Sequence, residues 1–373
     1  MKPMSQLTPD QVNYLNVGLM LVSAGLAFWR PFEVFLFVYA VLGPAHYLTE
    51  ISWLHDRRYF TTGRHDYVFL TVVSVVVTLC VFNLVPGAPP AAVTWLTLVA
   101  FAGALVFALV RSAWGRAVGI AGALLVSIPL ADVRGSELVF RMFLPTLIHV
   151  SIFTGAFILI GALRGRSLSG LLSLLVFLAV PVGFLYALPG REHYAVSSYV
   201  RSAYGYLQND GTFSDGFMGL NHQLLTIFNL HDFGQPATDI TGFVRGVNAF
   251  LYGHPLALAV MAFIAFAYTY HYLNWFSKTS IIRWHEIPRA RAGAVVLVWV
   301  VSVALCVYDY RLGLQWLFFL SFTHVVLEFP LNHLTFVGIG REIGGLLRGE
   351  KPRVAPSAPG RPVKGIRRPQ RQS

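Results

Sequence analysis

The chain has 373 residues, of which 55% are hydrophobic and only 12% are charged, and its mean hydropathy is +0.61. Soluble domains carry about 25% charged residues, so this composition excludes a soluble enzyme, a disordered chain and a fibrous repeat. A membrane-spanning helix needs about 20 apolar residues. The sequence therefore predicts an all-α fold, a polytopic integral membrane helix bundle of about ten transmembrane helices.

Ten apolar windows follow one another along the chain and predict the spanning helices. They cover residues 12–29, 32–54, 66–86, 91–110, 117–131, 141–163, 167–188, 249–276, 292–308 and 312–335. The fifth window is the shortest. Proline and glycine mark several of the joints, for example in VPGAPPA after the third window.

Two polar segments interrupt or follow this pattern. Residues 189–248 are rich in Gly, Asn, Asp and Ser, and are predicted to form an extracytoplasmic loop that acts as a cap or a partner-binding surface. Residues 341–373 carry nine Lys or Arg against two Glu and have too few apolar residues to fold. The sequence thus predicts a transmembrane domain over 1–340 and a disordered basic cytoplasmic tail over 341–373.

The distribution of basic residues predicts the orientation, because cytoplasmic loops retain Lys and Arg. With ten spans and the tail inside, every short inside loop holds at least two basic residues and the outside loops hold fewer. We therefore expect a protein of the bacterial inner or plasma membrane with both termini cytoplasmic. The basic tail would lie near anionic lipid, and no nucleic acid partner is expected.

Two carboxylates fall well inside predicted helices, and both have the same neighbours. HYLTEISWLH contains His46, Glu50 and His55, and HVVLEFPLNH contains the same His-x3-Glu-x4-His pattern around Glu328. Ionisable residues inside spanning helices are costly and mark function by default. The two motifs are therefore the first candidates for a functional site.

Helix geometry predicts which of these residues share a site. A His and a Glu four residues apart lie about 40° apart around a helix and roughly 6 Å apart along it, so one metal can meet both. The second His of each motif is rotated by about 180° from the first and joins only if the helix ends or bends, as Pro330 would allow in the second motif. The eighth window adds His271, followed by His285.

These residues are predicted to gather at the cytoplasmic boundary of the bundle. The predicted metal ligands are His46, Glu50, His55, His271, His285, His324, Glu328 and His333, and the predicted catalytic residues are Glu50 and Glu328. His149 is expected nearer mid-membrane, where it lines the path to the site or bonds to Thr154 or a neighbouring helix. His193, His222 and His231 fall in the long loop, where they would form a second metal site or, as the preferred interpretation, make local hydrogen bonds.

Imidazole nitrogens and carboxylate oxygens suit a dinuclear non-haem metal centre, most simply two irons, with Zn, Mn and Cu as further candidates. The sequence thus predicts a metal-dependent membrane oxidoreductase of the oxygenase, hydroxylase or desaturase type. Its substrate would be a lipid or another lipophilic small molecule. Since no nucleotide or flavin motif is present, its electrons would come from an electron-donor protein.

Two other functions use the same residues. In a proton or metal-ion transporter, the His and Glu residues would form a transient cation pathway, with polar residues at successive depths. In a subunit of a membrane electron-transfer complex, histidines on facing helices would hold haem or a pigment.

Overall fold

The computed structural model describes residues 7–89, 91–187, 194–214, 216–234, 239–279, 283 and 285–350. Thirteen helices and a short 3-10 helix, Arg58–Phe60, occur in this part of the chain, and it contains no named strand, as the predicted all-α fold requires. The helices are α1 (Pro9–Trp29), α2 (Pro31–Asp56), α3 (Asp66–Val81), α4 (Ala92–Leu109), α5 (Ala113–Ala131), α6 (Glu137–Gly165), α7 (Leu168–Ala187), α8 (Ser198–Tyr204), α9 (Met218–Ile227), α10 (Ile240–Gly253), α11 (Pro255–Ser277), α12 (Arg289–Tyr308) and α13 (Tyr310–Leu347).

Nine of the described helices are long and apolar enough to cross a membrane. The third predicted span, 66–86, corresponds to α3, which has only 16 residues and is not among these nine. At 1.5 Å per residue, α3 is about 24 Å long, somewhat shorter than the roughly 30 Å of a hydrocarbon core. The fifth predicted span, the shortest window, is in fact a helix of 19 residues.

Two predicted spans have different limits in the structure. The window 249–276 crosses a break, because α10 ends at Gly253 and His254 caps the next helix, where Pro255 takes the first position. The last helix is 38 residues long and continues through Pro330 to Leu347. Residues 341–347 of the predicted tail are therefore helical, and residues 351–373 lie outside the described part of the chain.

Hydrogen bonds and ion pairs between helix ends define two opposite faces of the bundle. We call the face that holds the start of α1 and the end of α13 the terminal face, and the opposite one, which holds Arg30 and the described residues between 194 and 254, the loop face. The contacts at the terminal face are Asp10 with Ser167 and Ser169, Asp56 with Arg291, Thr62 with Phe107, Asp66 with Arg116, and Arg164 with Glu342. Helices α1 to α7 and α11 to α13 thus alternate in direction.

The helices differ in how deeply they are buried within the bundle. In α11, 83% of the apolar window is buried, whereas in α5 and α12 only 11% is buried. Apolar side chains that face outward, such as Leu125 and Leu297, would contact lipid instead of other helices. The centre of the fold is therefore α11, which packs against α1, α2, α7 and the first part of α6.

The predicted loop 189–248 is largely helical in its described part. It contains α8, α9 and most of α10, which pack against α2 and α11 at the loop face. Tyr204 lies fully buried in this region, and its hydroxyl donates a hydrogen bond to Asn221 at 2.5 Å. We refer to α8, α9 and α10 together as the cap.

The close contact between α12 and α13 gives a first testable prediction. A Cβ atom at Gly313 would lie 2.6 Å from the Cα atom of Cys306, so Gly313→Ala must push the two helices apart. Overpacking of this kind costs about 1–3 kcal/mol of stability. We expect a lower unfolding midpoint in detergent, measured by tryptophan fluorescence. Gly293→Ala in α12, where no atom lies within 4 Å, is the control and should not lower it.

Candidate metal centre

Four helices at the centre of the bundle each contribute one histidine to a common point. His46 lies on α2, His149 on α6, His271 on α11 and His324 on α13. All four side chains are buried, and each offers one ring nitrogen that lies within 4.8 Å of the other three. This group could hold a metal ion.

The histidines meet because their helices run in the same direction and carry them at similar depths. Tyr47 and Tyr272 are in contact, and so are Thr49 and Trp275, so α2 and α11 are parallel. Helices α6 and α13 also end at the terminal face. Each histidine lies 13 to 17 residues from the start of its helix, a spread of about 6 Å along the bundle.

The local helix geometry around His149 is unusual. Residues Glu137–Phe153 of α6 form a π-helix, with Pro145 inside it, and the helix becomes α-helical from Thr154 onward. π-helical turns are rare and occur frequently at functional sites, where they change the direction in which side chains point. The π segment ends four residues after His149 and sets the direction of its ring.

The ring nitrogens approach one another in pairs. His46 Nε2 lies 3.0 Å from His271 Nε2, and His149 Nε2 lies 3.1 Å from His324 Nε2. In each pair, either one nitrogen carries a proton and donates it to the other, or both direct lone pairs at a shared cation. Metal–nitrogen bonds of about 2.0–2.1 Å place neighbouring ligand nitrogens about 2.9–3.4 Å apart, so the observed distances fit a metal-binding group.

The two predicted carboxylates both reach this group, but in different ways. Glu50 Oε2 lies 3.1 Å from His46 Nε2, the same nitrogen that faces His271. Glu328 Oε2 lies 3.2 Å from Nδ1 of His149, the nitrogen that faces away from the other histidines. Both carboxylates are buried. Glu50 is therefore placed to approach an ion, whereas Glu328 lies within ion-pair distance of the outer nitrogen of His149 without a hydrogen bond between the two atoms.

A hydroxyl group orients a third histidine. Thr154 Oγ1 and His271 Nδ1 lie 2.8 Å apart and are both buried, so this bond fixes the ring plane of His271. Contacts of this kind to the outer nitrogen of a metal-binding histidine set its tautomer and orientation. The arrangement leaves the Nε2 atom of His271 directed at the group.

Aromatic side chains surround the histidines on the loop-face side. The ring of Tyr47 stacks on that of His324 with centroids 4.4 Å apart, and its hydroxyl lies 2.6 Å from that of Tyr272. A Cβ atom at Gly43 would lie 3.0 Å from the Tyr47 hydroxyl and 3.3 Å from that of Tyr272. A side chain at this position would press against the two hydroxyls and shift them by a few tenths of an ångström.

Three predicted ligands lie elsewhere. His55 is exposed and contacts Asp56 at the end of α2. His333 Nε2 lies 2.8 Å from the carbonyl oxygen of Phe101 in α4, because α13 continues through Pro330 and keeps this ring on the side away from His324. His285 is exposed in the segment between α11 and α12. The structure does not bring these three to the four-histidine group.

Conversely, His149 belongs to the group although the sequence-based ligand set leaves it out. It contacts His324 and Glu328 of a neighbouring helix, which was one of the expected alternatives, whereas Thr154, another expected partner, bonds to His271. The one signal in the sequence was the presence of an ionisable residue inside an apolar window.

The loop histidines do not form a second metal-binding group in the part of the chain described here. His231 and His254 stack on Phe250, with ring centroids 3.8 Å and 4.1 Å from it. Burial lowers the pKa of His222 below its usual value, so this residue stays neutral at pH 7. His193 lies outside the described residues.

A cavity of about 760 Å³ lies between the cap and the bundle. Its lining includes Tyr39 and Tyr268, whose rings lie 6.5 Å and 6.1 Å from those of Tyr47 and Tyr272. The lining also includes Ser321, one helical turn before His324. The cavity thus approaches the four histidines from the loop face, with one layer of aromatic side chains between them.

Comparison with known proteins adds no further information about this site, because no protein-family model, no curated protein and no solved structure matches the chain. The function has to be inferred from the residues of the chain. The geometry supports a membrane-embedded helical protein with a buried histidine group that could hold a metal ion.

Proposed function

We propose that the chain is an integral-membrane, metal-dependent oxidoreductase that acts on a lipophilic substrate. The observation that carries this proposal is the convergence of four buried imidazoles and two buried carboxyls from four helices of an apolar bundle. Each buried polar group costs free energy unless it is compensated. A bound cation would compensate all of them together.

The proposed centre holds a single ion ligated by the four histidines, with Glu50 as an additional candidate ligand and Glu328 behind His149. Four nitrogens within 4.8 Å of one another can all reach one ion. This proposal replaces the pair of irons expected from the sequence with one. Iron remains the first candidate, since imidazole ligands suit Fe as well as Zn and Cu.

When iron is bound, a centre of this kind can activate oxygen and transfer electrons. The chain itself positions the metal ligands, excludes bulk water from them and provides the cavity for an apolar substrate. Its electrons would come from a separate donor protein.

The geometry favours this function over the two alternatives. Haem requires a wide flat slot between its axial ligands, whereas the imidazoles here lie 3.0 Å and 3.1 Å apart in pairs. A transporter needs a polar path across the bundle. Towards the loop face, the four histidines are bounded by the aromatic layer of Tyr39, Tyr47, Tyr268 and Tyr272.

We also propose that the terminal face is cytoplasmic, which places the cap outside. Of the described Lys and Arg residues, thirteen lie at the terminal face and six at the loop face, and basic residues are retained on the cytoplasmic side. The thirteen are Arg57, Arg58, Arg64, Arg111, Arg116, Arg164, Arg166, Lys278, Arg283, Arg289, Arg291, Arg341 and Arg348. The six are Arg30, Arg134, Arg141, Arg201, Arg245 and Arg311.

Metal analysis of the purified protein tests the proposal. We expect one transition-metal ion per chain, most simply iron, that remains bound after dialysis against a chelator and gives no Soret absorption. Two ions per chain would support the dinuclear centre instead. A metal that exchanges rapidly and accumulates in protein-containing vesicles would indicate transport, and a metal-free protein would contradict the proposal.

A further inference from the structure

The inner end of the 760 Å³ cavity approaches the candidate metal centre and is separated from it by the layer of aromatic side chains described above. Thr146 and Ser321 line it, and each lies three residues before one of the four histidines on the same helix. In α13, which is α-helical, a residue three positions away is a neighbour on the helix surface, so Ser321 lies beside His324. A molecule that fills this cavity would therefore end one helical turn from the metal ligands.

The walls of the cavity are apolar along most of their length. They are formed by Val77 and Val81 of α3, Val93 of α4, Phe217 next to α9, and Phe318 and Phe322 of α13. Ligand-binding cavities of about 300–1,000 Å³ with apolar walls and a few polar groups bind small molecules by burying their apolar surface. The body of the ligand is therefore expected to be apolar.

The outer end of the cavity is polar and, among the residues that the structure describes, holds one arginine outside any ion pair. Glu137 and Arg141 lie here and form an ion pair with each other. Arg311, in the first turn of α13, also lines the cavity, and within the described residues it has no ion-pair partner. A guanidinium group at this position favours an anionic group on the ligand.

We infer that this cavity binds an amphipathic carboxylic acid, with its carboxylate at Arg311 and its apolar chain directed towards the four histidines. The role of this acid as the substrate rests on the proposed function, but its binding does not require a metal. A single-chain acid fits a cavity of about 760 Å³ better than a two-chain lipid, whose headgroup and second chain would remain outside.

Photolabelling tests this inference on the full chain in vesicles of zwitterionic lipid. The probe is a long-chain fatty acid with a diazirine at the end of its chain, and the labelled residues are mapped by mass spectrometry. We expect label near Thr146 and Ser321. Arg311→Gln should raise the half-saturating concentration of the acid about tenfold, the effect of losing one charged hydrogen bond. Arg311→Lys should restore most of the affinity.

Matched controls define the outcomes that would overturn the inference. Arg245→Gln alters an exposed arginine of the cap that does not line the cavity, and should change nothing. The methyl ester of the probe should label the protein and its Arg311→Gln variant equally. Label confined to lipid-facing helices such as α5 would contradict binding in the cavity. Equal labelling of the native protein and of Arg311→Gln by the acid would contradict the carboxylate contact. If a diazirine phosphatidate labelled the cavity more strongly than the fatty acid, the occupant would be a bilayer lipid and the inference would be wrong.

The same experiment on His271→Ala separates this inference from the proposed function. We expect this variant to lose metal but to keep the label at the inner end of the cavity. If the native protein proves to be metal-free and the label remains, the proposed function fails and the inference stands. If metal is bound and no label reaches the cavity, the inference fails and the metal centre stands.

Discussion

Replacing His149 with alanine should remove the bound metal as completely as replacing His324. Its Nε2 lies 3.1 Å from His324 Nε2, and its Nδ1 lies 3.2 Å from Glu328. His149→Ala therefore removes one of four ligands and also leaves the Glu328 carboxyl without this partner. Loss of an orienting partner alone costs 10–100-fold in metal affinity, so we expect a fall of more than about 100-fold. The fall in metal affinity is measured as the metal content of the variant after dialysis against a chelator.

The control for this experiment is His333→Ala, which removes another histidine from an apolar helix. His333 bonds to the carbonyl oxygen of Phe101 and lies outside the four-histidine group. This variant should keep its metal and lose only about 1 kcal/mol of stability with the hydrogen bond. Both variants are compared as monodisperse protein on size-exclusion chromatography. Metal retained by a folded His149→Ala variant, or lost from His333→Ala, would contradict the proposed ligand set.

The helices of the bundle could be predicted because the requirement to span a membrane acts on local composition. Each long apolar run has to be a helix, since no other structure satisfies its backbone in lipid. The residues at which the helices begin and end were less predictable. The break at His254 lies within a continuous apolar run, and only the capping position of His254 before Pro255 separates α10 from α11. The extension of α13 to Leu347 continues beyond the apolar window that predicted it.

Part of the candidate site could also be predicted, because ionisable groups inside apolar spans are expensive and few. This principle selected His46, His271 and His324, which the structure brings together. It also applied to His149, but window limits uncertain by several residues could not place this histidine at the same depth as the others. Its depth depends on the register between parallel helices, which is a property of the packed bundle.

The repeated His-x3-Glu-x4-His spacing proved less informative than it suggested. In α2, Glu50 contacts the histidine of its own motif, His46. In α13, Glu328 contacts His149 on another helix. Spacing fixes where a side chain starts on the helix surface, whereas the neighbouring helices decide where its end group lies. Identical spacing therefore leads to two different roles.

This difference predicts that the two glutamates respond differently to replacement by glutamine. Glu328→Gln weakens the partner of His149 Nδ1 without changing a ligand, so metal affinity should fall about 10–100-fold while the spectrum of the bound metal stays close to that of the native protein. Glu50 lies 3.1 Å from the ring nitrogen of His46 that faces the ion, so Glu50→Gln should change the spectrum itself. Competition with a chelator measures affinity, and optical and electron paramagnetic resonance spectra report the coordination.

Thr154→Val is the matched control for Glu328→Gln, because it removes a neutral partner of an outer histidine nitrogen at nearly the same volume. The bond from Thr154 Oγ1 to His271 Nδ1 is 2.8 Å long, and a neutral hydrogen bond contributes only about 0.5–1.5 kcal/mol. Its loss should weaken metal binding by about tenfold or less. If Glu328→Gln changed the spectrum and Glu50→Gln did not, Glu328 would be the metal ligand and the roles assigned here would be reversed. Spectra that change in neither variant would leave the four histidines as the complete ligand set and Glu50 as an orienting residue for His46.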